Sequence, residues 1–399
     1  MAEAVARHSY GKLVAFLAAR THDVAAAEDA LSEAFAAALA DWPRNGCPAN
    51  PEGWLLTAAR RRAIDAVRRQ HGERMEEADP EQLGALDAET EAIPDRRLAL
   101  LFACAHPAID ESIRAPLMLQ VILGLDAKAI ASAFLMSPAA MSKRLVRAKE
   151  KIRQAGIPFC VPESGELAAR LDAVLQAIYA AFAEGWSDPE GTDVERRDLT
   201  GEALYLAGLV VELMPEEPEA LGLLAMMLHS EARRRARRSG DGSYVPLAQQ
   251  DRTAWDAEMI ARAEALLLRA GTIGRMGRFQ LEAAIQSAHA ERCRSGRDNW
   301  AAVLQLYDGL LAITGSPVVA VNRALAVAEL EGPRAGLEAL PKVDEDGRLR
   351  EYQPYWAARA ELLRRAGATD EARHAYDVAL GLTRDAAIRS FLERRREVL

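Results

Sequence analysis

Two short runs of cationic side chains carry the chemistry that this sequence offers. Five arginines stand against Asp65 between Arg60 and Arg69, and six basic residues stand against Glu150 between Lys143 and Arg153, although the whole chain has a net charge of -9. Arg and Lys gathered on one helix face make a phosphate-binding surface. The second run follows Ser137 and Pro138, an N-cap and a proline at the first helical position, and a short helix capped by Asp126 precedes it. Helix, turn and basic helix is the helix-turn-helix plan, whose second helix enters the major groove. With Ser137 at the N-cap, Ala139, Ala140, Ser142 and Lys143 face base edges, and Arg144, Arg147 and Lys151 offer contacts to the backbone. Catalytic constellations are lacking: there is no P-loop, no HExxH and no GxSxG, so the sequence reads as a binding protein rather than an enzyme, with no cofactor. Cys47, Cys104, Cys160 and Cys293 lie far apart without a CxxC pair and read as free thiols. Cys104 and His106 alone do not make a metal site.

The elements that position these residues are helices throughout. Apolar residues recur at helical spacing and strand-like alternation is almost absent, so the fold class is all-α. At 399 residues the chain is long enough for two or three domains. Leu31, Ala34, Phe35, Ala38, Leu39 and Trp42 step by three and four along one helix face, while Glu28, Asp29 and Glu33 decorate the rest. A Pro-rich loop (42–53) leads into a helix from about Gly53, on which Leu56, Ala59, Ala63 and Val67 point inward and Thr57, Arg61 and Arg68 share another face. Seven carboxylates and no Lys or Arg lie between Glu76 and Glu91. That acidic stretch, ending at Ile93-Pro94, and the Pro-rich segment 156–165 are the expected domain boundaries. Beyond Leu167 helix pairs continue to the end. Trp356, Ala360, Leu363, Gly367, Ala372, Tyr376 and Ala379 follow the tetratricopeptide spacing, and Trp300 and Tyr307 begin an earlier approximate repeat. Such pairs bury their apolar faces only by stacking. Glu184-Gly185-Trp186 reads as a packed helix end, and the arginine run 233–238 as a solvated one. No stretch reaches the length and apolarity of a membrane span and the N-terminus lacks a signal peptide, so the expected location is the cytoplasm.

Four elements in order carry a resemblance. AEDALSEAF (27–35), the Pro-rich loop, WLLTAARRRAID (54–65) and SPAAMSKRLVRAK (137–149) resemble regions 2 and 4 of extracytoplasmic-function sigma factors of the sigma-70 family. The segments 196–204, 216–228 and 316–329 resemble the subgroup with a C-terminal tetratricopeptide-like extension. The resemblance implies region 2 over 1–72, an acidic linker over 73–94, region 4 over 95–157, a hinge over 158–165 and a helical-repeat extension over 166–399. It implies core RNA polymerase and promoter DNA as partners. Asp29, Ser32, Glu33 and Phe35 would meet the β′ clamp helices, and Trp54, Arg60, Arg61, Arg62 and Arg68 would read the -10 element. The second module would dock on the β flap and read the -35 element through Ser137, Ala139, Ala140, Ser142, Lys143, Arg144, Arg147 and Lys151. The linker would thread into the polymerase channel, and the extension would regulate in cis or dock a regulatory protein. The chain departs from the usual pattern at Ser32, Arg61 and Leu135, where Gln, Asn and Gly are common. The alternative is a helix-turn-helix regulator with a repeat sensor domain, which leaves the first module without a task.

Overall fold

Local capping signals set many of the helix ends. The computed structural model describes residues 2–71, 95–134, 136–186, 194–343 and 347–399, and all side chains there except those of 2–8, 64–71, 132, 133, 164, 194–198 and 348. Among the described residues there are eighteen α-helices and four short 3-10 turns, with one isolated bridge between Arg238 and Tyr244 in place of any strand. The all-α expectation holds.

Helices α1 (Ala2–Thr21), α2 (Val24–Asn45) and α3 (Pro51–His71) form the first layer. Asp23 caps α2 by accepting from the Ala26 N–H at 3.0 Å, and Gly46 ends it with φ at 87°, a conformation that favours glycine. Leu13, Val14 and Leu17, Leu31, Ala34 and Ala38, and Leu55, Leu56 and Ala59 bring the three helices to one core. The apolar face of α2 is narrower than its spacing suggests: Leu39 is exposed and Phe35 is half-buried. Val67 falls outside the described side chains.

Four helices come next: α4 (Arg97–Cys104), α5 (Glu111–Leu123), α6 (Ala127–Ala133) and α7 (Pro138–Gln154). Gly124, left-handed at φ 67°, closes α5. Asp126 accepts from the Ala129 N–H at 2.7 Å and starts α6; Ser137 accepts from the Ala140 N–H at 3.3 Å and starts α7. Met141, Leu145, Ala148 and Ile152, stepping by three and four, are the buried face of α7.

The boundaries are where the structure departs from the sequence reading. Helix α1 packs on α4 and α5, and α2 on α7, so the segments 1–71 and 95–157 share one compact unit. The segment 158–165 does not separate that unit from the next helix. Ile157 and Phe159 are buried, and α8 (Ser164–Trp186) continues onto α4 and α5 with Leu167, Leu171, Val174, Leu175 and Ile178 buried. The buried Arg170 donates to the Phe102 carbonyl at 3.3 Å. The unit ends only at Leu206, within α9 (Val194–Leu213). Prolines break the helices at 158 and 162, but apolar residues on both sides return the chain to the same core, and burial overrides the local break signal.

One close approach in this unit depends on glycine. A Cβ on Gly11 of α1 would collide with the Ile122 backbone carbonyl of α5. We expect Gly11→Ala to lower stability by about 1–3 kcal/mol through overpacking, read as a fall in urea midpoint with an unchanged slope. An unaltered midpoint would show that these two helices separate freely.

The second unit, from Ala207 to Leu399, stacks α10 (Pro218–Ala232), α11 (Ala257–Thr272), α12 (Arg278–Ser295), α13 (Trp300–Thr314), α14 (Pro317–Glu331), α15 (Pro333–Ala339), α16 (Gln353–Ala366), α17 (Thr369–Leu382) and α18 (Ala386–Glu397). Each helix packs on its neighbours in the chain. Trp356, Ala360, Leu363, Ala372, Tyr376 and Ala379 meet in one cluster, and Gly367, left-handed at φ 81°, turns α16 into α17. The arginine run 233–238 is not a solvated helix end. It forms a 3-10 turn in which Arg233 donates to the His229 carbonyl at 3.0 Å, Arg234 pairs with Glu231 and Arg238 reaches Asp385 at 2.8 Å. Burial lowers the Arg233 guanidinium to about 10.

Candidate nucleic-acid interface

The first candidate surface begins at the start of α3. Asn50 accepts from the Gly53 N–H at 2.9 Å, Pro51 opens the helix, and Thr57 donates back to the Gly53 carbonyl at 2.9 Å. Asn50, Gly53, Trp54, Thr57, Ala58 and Arg61 line an open groove of about 390 Å³. The Trp54 ring stands edge-on to Trp42 at 5.6 Å and 68°. An indole wall, a backbone held close by a glycine and a guanidinium suit a flat base with its phosphate. Of the expected arginines whose side chains are described, Arg61 alone lines this groove. Arg60 lies over the Phe16 ring of α1, 5.7 Å from its centroid, and Arg62 sits 3.6 Å from Glu33 of α2. Arg68 falls outside the described side chains. Consecutive helical residues project about 100° apart, so three adjacent arginines divide among three directions. Sequence reasoning passes over Asn50, yet its signal is present: asparagine before proline is an N-cap ahead of the favoured first residue.

On α2, Asp29, Ser32 and Glu33 are exposed and Phe35 is half-buried. Asp29 and Glu33 line a groove of about 450 Å³ that Asp23, Arg62, Lys149 and Arg153 also line, so the basic helix α7 forms its opposite wall. Inside that contact Lys149 Nζ lies 2.5 Å from Glu28 Oε2, and the Tyr10 hydroxyl donates to Glu28 Oε1 at 3.2 Å. Burial, and then the Glu28 charge, push the Tyr10 phenol well above its ordinary range. Arg153 and Asp23 approach to 3.9 Å. Glu28 and Lys149 are 121 residues apart in sequence, and no local pattern announces their pairing.

The third surface is the outer side of α7. Ser137, Ala139, Ser142 and Lys143 are exposed at its N-terminal end, with Ala140 half-buried. Arg144, Arg147 and Lys151 line a groove of about 290 Å³ together with Ile109, Asp110 and Ile113. Arg147 and Lys151 are exposed there, whereas Arg144 donates to Asp110 at 3.3 Å and to the Ser112 hydroxyl, which ties it to the cap of α5. Leu135 falls outside the described residues.

A fourth cluster stands where the chain enters α4. Arg97 is buried, donates to Asp95 at 3.0 Å, pairs with Glu202 of α9 and lies 4.6 Å over the Tyr205 ring. The Tyr205 hydroxyl donates to Asp95 at 3.1 Å. Burial alone would raise the Asp95 carboxyl, but the hydrogen bonds and charge of Arg97, with Tyr205, outweigh it and hold it below its ordinary value. Such a group stabilises the fold above its unfolded value near 3.8, and that contribution vanishes as pH falls through the depressed folded value. We expect Asp95→Asn to lower stability at pH 7 and to leave it less dependent on pH below about 4. Urea midpoints at pH 7 and pH 3 check this; an equal loss at both would exclude the charge. The acidic segment 73–94 falls outside the described residues.

Elsewhere Cys104 is buried, and burial pushes its thiol upward. Among the described residues no cluster of three His, Cys, Asp or Glu side chains is placed to hold a metal, and no helix is long and apolar enough to cross a membrane.

The three-helix layer with its exposed Trp-Arg groove coincides with a known domain: residues 5–73 match sigma-70 region 2. That layer is therefore a sigma-70 region 2 domain. Residues 170–271 match a family of unknown function, DUF6596, which begins within α8 and ends within α11. An uncharacterized protein of Rhizobium meliloti (strain 1021) is 39% identical over 376 residues, covering 92% of this chain and 88% of the relative, and this chain belongs to the same family. No solved structure matches the chain.

Proposed function

We propose that this protein is a sigma factor of the extracytoplasmic-function type that directs RNA polymerase to its promoters and carries a tetratricopeptide-like extension. The observation that carries the reading is the groove of Asn50, Trp54, Thr57 and Arg61, which lies inside the region 2 match and opens to solvent. It offers one aromatic wall and one cation to an unstacked base of the -10 element. The exposed Asp29, Ser32 and Glu33 on α2 are the surface for the β′ clamp helices. The helix α7 reads the -35 element, with Lys143 toward a base edge and Arg147 and Lys151 toward phosphates. The extension acts in cis through α8 and the first half of α9, which build the same compact unit as the DNA-reading helices. A conventional regulator with a sensor domain would have no use for a region 2 surface, which favours the sigma reading over it.

Run-off transcription with purified cognate core polymerase over a genomic library tests the proposal. A sigma factor yields promoter-specific transcripts with core enzyme alone; transcripts that appear only with another sigma factor present would overturn it. Within that assay Arg147→Ala should weaken all promoters alike and lower the slope of binding against salt by about 1. Lys143→Ala should instead change preference at one position of the -35 element, by about 1–3 kcal/mol. The same uniform loss from both substitutions would show that α7 lies in another register.

A further inference from the structure

We propose that Arg233, His289 and Arg292 form a binding site for a phosphate group, carried as the free ion or as a monoester. The site lies wholly within the second unit and uses none of the residues on which the sigma reading stands. It gives the extension a ligand of its own.

Three helices bring these side chains together. Gln286, His289 and Arg292 follow one another at every third residue of α12, which places His289 between the other two. Arg233, the residue after α10, donates through Nε to the His229 carbonyl at 3.0 Å and through Nη2 to the Gln286 side-chain oxygen. Its guanidinium is thereby held on the His289 side of α12. Beyond the imidazole, Arg292 lies over the Trp300 ring, 3.8 Å from its centroid. The same ring meets His289 edge-on at 5.7 Å and 74°. Asn299 ties this start of α13 to α12 by donating to the Ala288 carbonyl at 2.7 Å. The two guanidiniums and the imidazole are thus positioned by the fold itself, which lowers the ordering cost of binding.

The charge gathered here is uncompensated. The nearby Arg234 and Arg294 pair with Glu231 and Glu291, whereas among the described residues neither Arg233 nor Arg292 has a carboxylate partner. Burial, then Arg292 and Arg233, drive the His289 imidazole down to about 4, and no carboxylate acts against them. Arg292 Nη1 and His289 Nδ1 are buried without a hydrogen-bond partner, and so is Asn299 Oδ1. Buried polar atoms are costly unless something bonds to them, and three at one junction call for a polar partner.

That partner has to be an anion, because a guanidinium has donors only and two of them stand here. Their forked N–H groups suit carboxylate and phosphate alike. Charge decides between the two. A carboxylate carries a single negative charge, whereas a phosphate group carries about 1.5–2 at pH 7 and matches both arginines. The neutral imidazole offers an N–H without adding a third positive charge. A protonated phosphate oxygen brings the donor that Asn299 Oδ1 accepts.

Thermal melts of the full-length chain at pH 7 and matched ionic strength, in chloride, acetate, sulfate, inorganic phosphate or glycerol phosphate, test the site. Phosphate should raise the melting temperature with a saturable dose response. Sulfate, which brings no proton for Asn299, should do so less, and acetate and chloride not at all. Equal rises in all five would be charge screening alone and would sink the site. Tighter binding of glycerol phosphate than of inorganic phosphate assigns the site to a monoester, and the reverse order assigns it to the free ion. Arg292→Gln is the discriminating variant. It should lose at least about tenfold in phosphate affinity by calorimetry, yet melt higher than the wild type in chloride, since it removes a half-buried charge that no carboxylate offsets. Arg294→Gln, which breaks an exposed pair with Glu291, should keep the wild-type phosphate response. A folded Arg292→Gln protein that also keeps that response would overturn the proposal, whatever its stability. If Arg292→Gln does not fold, Arg292→Lys takes its place: it retains the charge without the fork, and undiminished phosphate affinity in it would count equally against the site.

Discussion

Alanine at both Trp54 and Arg61 is expected to cut promoter-specific transcription by at least about 100-fold while leaving the fold in place. The groove offers one stacking wall and one cation to an extruded base. Stacking on an aromatic side chain contributes about 1–3 kcal/mol per base, and a hydrogen bond to a charged group about 1.5–3 kcal/mol. Losing both, about 2.5–6 kcal/mol, matches or exceeds the roughly 2.7 kcal/mol that a hundredfold change represents. Neither side chain belongs to the fully buried core: Arg61 is exposed and Trp54 is half-exposed beside Trp42. Run-off transcription on the same template, with circular dichroism as the folding control, reads the effect. The neighbouring Arg60→Ala is the discriminating comparison, because Arg60 packs over Phe16 and should cost stability more than activity. A folded Arg60→Ala protein as silent as Arg61→Ala would move the base-binding surface off this groove.

The second large effect concerns where the chain can be cut. Truncation after Pro162 is expected to give an unstable, aggregating fragment, although a proline-rich segment usually marks a safe boundary. Helix α8 covers α4 and α5, and Leu167, Leu171, Val174, Leu175 and Ile178 are buried along it. At about 1.5–3 kcal/mol for each buried aliphatic side chain, their loss is comparable with the whole net stability of a domain, about 5–15 kcal/mol. A fragment ending at Leu213 keeps α8 and α9 with Glu202 and Tyr205, and should unfold cooperatively with native-like helicity. Thermal melts of the two fragments separate the cases. Equal stability would mean that α8 is an appendage of the unit rather than part of its core.

The features legible in the sequence are those that neighbours in sequence decide. Asp126, Ser137, Gly124 and Gly367 announce helix ends because a cap acts within three or four residues of itself, and each stands where expected. The six-residue cluster of α16 and α17 is legible from spacing because both helices are close in the chain. The groove at Trp54 and Arg61 is half legible: the residue types stand out, but the radial direction of each arginine depends on helix phase, and Asn50 is hidden in a loop whose prolines suggest a spacer. The partnership of Glu28 with Lys149 is illegible, since it is made by tertiary packing across 121 residues. The segment 158–165 misleads for the same reason: Pro158 and Pro162 are local signals, whereas the burial of Ile157 and Phe159 is decided by α8 returning to α4 and α5.

That return has a consequence for the chain as it is made. The unit that ends at Leu206 lacks α8 until well over half of its residues have left the ribosome, and α2 emerges long before α7. At about 5–20 residues per second, synthesis takes roughly 5–20 s to travel from the end of α2 to Arg153. Through that interval the nascent region 2 presents Asp29 and Glu33 with no Lys149 opposite them. Each new molecule thus passes once, during its own translation, through a state whose acidic face is open to any basic helix nearby.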